Sequence, residues 1–128
     1  MRLLLDTCAF LWFLEDSPHL STAARAHILN PANEVYLSAV SVWEIARKYA
    51  HGGISLPSHP STLIPAVRQD SGIARLSPTE ADALAAEKLQ LFHKDPFDRM
   101  LIAQAQAEDL PIVSNEQVFD EYHVRRIW

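Results

Sequence analysis

The sequence predicts an α/β sandwich built around a mostly parallel sheet. Three observations carry this: short apolar runs alternate with helical patterns along the chain, Leu3-Leu4-Leu5 is continuously apolar, and Ser-Pro and Asp-Pro helix starts recur at Ser77-Pro78 and Asp95-Pro96. The 128 residues fit one domain with a sizeable core. A hydrophobic fraction of 48% and a charged fraction of 21% are those of a folded chain, without the low hydrophobicity and high charge of disorder.

Arg2 to Asp6 reads as a buried parallel strand ending at the acid, and Thr7 to Glu15 as a helix with Phe10, Leu11, Phe13 and Leu14 on its apolar side. Ser17-Pro18 breaks it, and Ser21 caps a second helix to about Leu29. After the turn Asn30-Pro31-Ala32-Asn33, Glu34 to Ser38 alternates as a second strand, and Val40 to Ala50 has helical spacing ended by Gly52-Gly53. Pro57 to Pro65 is a Pro/Ser-rich loop leading into a helix near Ser61 to Gln69, and Ile73 to Leu76 is a third strand. Ser77-Pro78-Thr79-Glu80 places a capping serine, a proline and a glutamate for a helix running to about Leu91. Asp95-Pro96-Phe97-Asp98 opens another through Ala107. Pro111 to Ser114 is a strand, Glu116 to Phe119 a helical turn, and Val124 to Trp128 a final short strand.

Composition narrows the function. The acid after three leucines ends any resemblance to a signal-peptide core, and no run approaches a membrane span, so a cytosolic protein is expected. Cys8 is the single cysteine, which excludes an internal disulfide and a cysteine zinc site. A net charge of −5 argues against nucleic-acid binding through a broad basic surface while allowing a local basic rim. No glycine-rich phosphate loop or His-Glu-x-x-His arrangement occurs.

Asp6, Glu44, Asp98 and Glu116 each sit where a strand ends or a helix begins. In an open α/β sheet ligands bind beyond the carboxyl ends of the strands, and all four can reach one pocket there. Converging carboxylates suit a hard divalent cation such as Mg²⁺, and with it hydrolysis of a phosphodiester. Each acid also has a plainer explanation. Glu44 stands four residues before Lys48, Asp95 and Asp98 resemble a helix cap and its partner, and Glu116 could start a turn.

These residues resemble the PIN-domain ribonucleases, and among them the VapC-type toxins. The matching segments are Leu3-Leu4-Leu5-Asp6-Thr7, Ser38 through Ile45, His93 through Ala105, and Ile112-Val113-Ser114-Asn115-Glu116, which together span essentially the whole chain. The resemblance implies a three-layer α/β/α sandwich whose acids bind Mg²⁺ or Mn²⁺ and activate water to cleave RNA. Asp6, Glu44 and Asp98 match the three principal acids of the family. The fourth is usually aspartate, and Glu116 occupies its place with one more methylene. Thr7, Ser114 and Asn115 match polar positions beside the acids, as hydrogen-bonding support.

Arg47 and Lys48 follow Glu44 by one helical turn, Arg99 follows Asp98, and Lys94 precedes the same helix. Arg99, Lys94 and Arg47 are the expected phosphate contacts. His93, in the loop beside Lys94, could touch RNA but reads more simply as a solvated histidine. Phe10-Leu11-Trp12-Phe13-Leu14 carries more apolar surface than one helix face buries, leaving an aromatic such as Trp12 for a partner. The family resemblance suggests a second copy of the chain and a VapB-type antitoxin as partners. The alternative is a catalytically weakened PIN-like module that binds RNA or a protein partner, with Glu116 as its support. A receiver-like domain is disfavoured, because Ser38 and not aspartate ends the second strand.

Overall fold

Three leucines set the centre of the sheet. In the computed structural model, which describes all 128 residues, β1 (Arg2–Leu5) lies between β2 (Glu34–Ser38) and β4 (Ile112–Val113), with Leu3, Leu4 and Leu5 fully buried. A strand covered on both faces has no solvated side to mark with polar residues, which is why this run does not alternate. Leu3 and Leu5 pack with Phe10, Ala24, Ile28, Ile45 and Ile64. Leu4 packs on the other side with Leu101, Ile102, Ala105 and Phe119. Two apolar clusters separated by the sheet make three layers.

The remaining elements follow in the order α1 (Thr7–Leu14), α2 (Thr22–Leu29), β2, α3 (Ala39–Ala50), α4 (Pro60–Ser71), β3 (Ala74–Leu76), α5 (Glu80–Lys88), α6 (Pro96–Glu108), β4, a 3₁₀ turn over Gln117–Tyr122, and β5 (Arg126–Ile127). The strands lie in the order β3-β2-β1-β4-β5 and every pairing is parallel. The expected mostly parallel sheet is therefore wholly parallel. From β1 the chain builds outward in one direction to β3, then returns to the opposite side through β4. The crevice at that reversal lies beyond the carboxyl ends of β1 and β4, where Asp6 and Ser114 follow their strands. No helix is long and apolar enough to cross a membrane.

Two helix starts use local caps as the sequence expects. Ser21 accepts from the Ala24 amide, and Asp95 accepts from the Phe97 amide at 2.8 Å. The start of α5 is a correction: Thr79, not Ser77, is its cap. Its hydroxyl accepts from the Asp82 amide at 3.0 Å while Asp82 accepts from the Thr79 amide at 2.8 Å, a reciprocal pair that satisfies two donors at once. Trp12 is also corrected as the spare aromatic. It is half-buried between His19 and Trp128, and the exposed aromatics are Phe92 and Trp43, the latter's ring meeting Phe97 edge-on at 5.2 Å.

Arg99 departs furthest from expectation. It is 7% exposed, and its guanidinium donates to the carbonyls of Ala86, Leu89, His93, Gln90 and Glu87 at 2.8 to 3.5 Å. Those oxygens belong to the last turn of α5 and the loop after it, where only the Ala86 carbonyl has a helix-end partner, the Leu89 amide at 3.4 Å. The helix ends at Lys88 instead of about Leu91 because Arg99 takes over its carbonyls. Arg99 is thus a structural clasp, its two terminal nitrogens committed to backbone carbonyls and its side chain buried away from an incoming phosphate. Replacing it with Ala is expected to cost about 3 kcal/mol or more in urea unfolding, since several buried carbonyls lose a charged donor. Arg99→Lys should recover less than half, because one ammonium cannot span the fork. A loss under about 0.5 kcal/mol, ordinary for a surface position, would contradict the clasp.

Candidate active site

Asp6 is the first residue past β1 and is 3% exposed. One carboxylate oxygen accepts from the Ala9 amide at 2.7 Å and so caps α1. This local bond explains why the chain turns from strand to helix directly at the acid. Glu44 lies in α3, the helix capped by Ser38 at the end of β2, and is also buried. Its Oε1 accepts from the Thr7 hydroxyl at 2.6 Å, with the Ser41 hydroxyl 3.0 Å from Thr7, and its Oε2 pairs with Lys48 at 3.0 Å. The surface ion pair anticipated for Glu44 and Lys48 therefore exists at the edge of the site.

Asp98 sits in the first turn of α6, behind the Asp95 cap. Its Oδ2 lies 2.9 Å from Nε2 of His93, and the same nitrogen lies 3.0 Å from Oε2 of Glu116. The extra methylene of Glu116 does not take it out of the cluster. Ser114, fully buried, accepts from the Glu116 amide at 3.0 Å and presents its hydroxyl to Asp6. Asn115 is exposed and makes no side-chain hydrogen bond. His93 is the residue that sequence reasoning undervalued; its one signal is its place two residues before the Asp95 cap.

The acids crowd one another. Burial pushes Asp6 up to about 6, with Glu116 and Glu44 adding repulsion while the Ser114 hydroxyl and Ala9 amide pull the other way. Burial raises Asp98 to about 8, reinforced by Asp95, Glu116, Asp6 and Glu44. The Cys8 thiol is likewise pushed up to about 11, chiefly by burial and then by Asp6, so it is not a nucleophile at neutral pH. A cluster in which Asp6 and Asp98 resist ionisation is the kind of donor set a hard divalent cation satisfies. The fold supplies Lys48 and His93 as neighbouring cationic or donor groups, each bonded at one side of the cluster. The chemistry of this acidic cluster fits a divalent metal ion, and the side chains whose donor atoms lie within 4.8 Å of one another are His93, Asp98 and Glu116.

Beside the acids runs an open groove of about 650 Å³ lined by Glu44, Arg47, Lys48, His51, Lys94 and Phe97 among others. Arg47 and Lys94 are exposed there, and the Arg47 guanidinium lies 5.8 Å over the Trp43 ring. A larger hollow of about 730 Å³ lies at the amino end of the sheet, against Met1, Arg2 and Pro111, away from the acid cluster.

Fold and site together define a three-layer α/β/α protein with an acidic centre at the switch point of a parallel sheet. The chain belongs to the PIN domain family, whose model matches residues 3–124. In shape it is similar to VapBC2 from Rickettsia felis, solved bound to a DNA fragment from its promoter, at 14% identity and a TM-score of 0.73, covering 98% of this chain and 97% of that one. It is similar to DNA-bound VapBC from Salmonella typhimurium at 17% identity and 0.69, covering 98% and 96%. VapBC-1 from nontypeable Haemophilus influenzae follows at 16% and 0.67, again covering 98% and 96%. At these identities the likeness is one of fold. Among curated proteins none matches.

Because the folded values of Asp6 and Asp98, about 6 and about 8, exceed that of a free carboxyl, the folded protein holds more protons than the unfolded chain over this interval. Its stability therefore declines as pH rises from about 4 towards about 8. In EDTA the melting temperature is expected to fall between about pH 5 and pH 8, and Asp98→Asn to raise it at the upper end by about 4 °C or more. Scanning calorimetry checks this; equal melting temperatures for both proteins at the upper pH would refute the electrostatic reading.

Proposed function

We propose that this protein is a divalent-metal-dependent endoribonuclease and the toxin of a toxin–antitoxin pair. The observation that carries the reading is the gathering of Asp6, Glu44, Asp98 and Glu116 at the carboxyl end of the sheet, with two of the four resisting ionisation. Asp6, Glu44 and Asp98 would hold Mg²⁺ or Mn²⁺. Such a cation, when bound, supplies Lewis-acid stabilisation of a phosphate and lowers the pKa of water. Thr7 steadies Glu44, and the Ala9 amide and Ser114 steady Asp6. Burial of these groups in β1, α3 and α6 fixes where they point.

Support for RNA as the substrate comes from the groove. Arg47 and Lys94 can take backbone phosphates without a broad basic surface, which the net charge of −5 rules against. Arg99 is excluded from that set by its carbonyl clasp. A VapB-type antitoxin as partner is supported by the neighbouring structures, whose descriptions are of VapBC complexes. Homodimerisation rests on the family resemblance. The reading of a non-catalytic binding module leans on Glu116. Against it stands the reach of that carboxylate, 3.0 Å from the His93 nitrogen that also meets Asp98.

Purified chain free of any partner is expected to cut total cellular RNA into discrete fragments with Mg²⁺ or Mn²⁺, and neither with EDTA nor as Asp98→Asn. A folded wild-type protein that binds RNA without cutting it under any metal would favour the binding module. For the groove, RNA binding is measured in an Asp98→Asn background. Replacing Arg47 and Lys94 with Ala should lower the slope of log affinity against log salt by about 1.4, roughly 0.7 for each lost single-strand phosphate contact. An unchanged slope would remove both residues from the substrate path.

A further inference from the structure

A loop histidine is ordinarily free to turn, and His93 is not. Its backbone amide donates to the Tyr122 hydroxyl at 2.7 Å, and Tyr122 passes its own proton to the Gln90 carbonyl at 2.6 Å. The His93 carbonyl accepts from Arg99 at 3.0 Å, and its ring leans on Phe119 with centroids 5.8 Å apart. Nδ1 accepts from the Asp95 amide at 3.2 Å. A backbone N–H can only donate, so this bond makes Nδ1 the acceptor and places the ring proton on Nε2.

That proton points into the acid cluster. Nε2 donates to Glu116 Oε2 at 3.0 Å and lies 2.9 Å from Asp98 Oδ2, so the ring is seated between the two carboxylates with its hydrogen bond on Glu116. The three residues together have the look of a metal-binding group, since their donor atoms lie within 4.8 Å of one another. The proton on Nε2 argues against it: a nitrogen that donates has no lone pair to give a cation. The same bond, however, determines which oxygen of Glu116 is occupied and sets the ring against Asp98.

We propose that His93, locked as the Nε2–H tautomer, is a positioning residue for the metal centre: it donates to Oε2 of Glu116 while packed against Oδ2 of Asp98, holds the two carboxylates side by side, and is not itself a ligand. This rests on the metal-dependent reading above. It gives the loop between α5 and α6 a task, because Arg99 and Tyr122 hold the backbone from which His93 reaches the acids. It also gives Glu116 a partner that its extra methylene allows it to meet.

The test has two arms, one independent of metal. Nitrogen-15 NMR of the metal-free protein, with His93 assigned by difference from His93→Gln, should show the Nε2–H tautomer; a proton on Nδ1 overturns the proposal whatever the protein binds. In the second arm, calorimetric titration with Mn²⁺ compares wild type, His93→Ala and His93→Gln. The alanine variant should bind about 10- to 100-fold more weakly, as loss of a group orienting a ligand does. Glutamine, which carries an N–H to nearly the same place, should recover most of that loss. Pulsed EPR of the wild-type Mn²⁺ complex should show no directly coupled histidine nitrogen. Unchanged affinity in His93→Ala, or a coupled nitrogen in wild type, overturns the proposal. A wild type that takes up no Mn²⁺ at all sinks the metal reading itself, while the NMR arm still judges the tautomer.

Discussion

Burial of carboxylates, reinforced by their mutual repulsion, is the constraint around which the structure is organised. Asp6 and Asp98 are held where burial and neighbouring acids both oppose their ionisation, and the chain does not relieve this by moving them apart. It cannot do so cheaply. Asp6 is fixed by the last residue of a fully buried strand and by its bond to the Ala9 amide, and Asp98 by the capped start of α6. The sheet and the helix starts thus keep charge concentrated at one end of the molecule, and part of the folding free energy is held against that repulsion.

What surrounds the cluster is a set of neutral or single-point restraints in place of full charge compensation. Thr7, itself bonded to the Ser41 hydroxyl, secures one oxygen of Glu44 and Lys48 the other; Ser114 attends Asp6; His93 reaches Asp98 and Glu116. A guanidinium in the middle of the acids would have neutralised them and closed the site. The one well-placed guanidinium, Arg99, is turned away onto backbone carbonyls. Its service to the site is indirect, through the loop that carries His93.

Much of this is legible in the sequence, for reasons that differ by residue. Asp6 stands out because an acid straight after three leucines cannot be an ordinary surface charge. Asp98 stands out through the Asp95-Pro96 helix start that places it in a first turn, and the parallel sheet through alternation of apolar runs with helices. Arg99 is misread because adjacency along a helix is not adjacency in space. A step of one residue turns the side chain by about 100°, from the acid cluster to the packed side against α5. Trp43, next to Glu44, is turned outward by the same rotation and is 60% exposed. The weight of His93 has no periodic signal, because it depends on Tyr122, Glu116 and Arg99, brought together only by the fold.

The two margins of the sheet are worth setting against the exposed Trp43. At one margin β3 contributes three residues, and at the other β5 contributes two. Strands so short offer an incoming chain little backbone to pair with, which guards against open-ended stacking of sheets. Growth of the sheet by edge-to-edge pairing is therefore disfavoured at both margins. Short margins thus keep a wholly parallel sheet, which has no solvated face to spare, from propagating into a fibre.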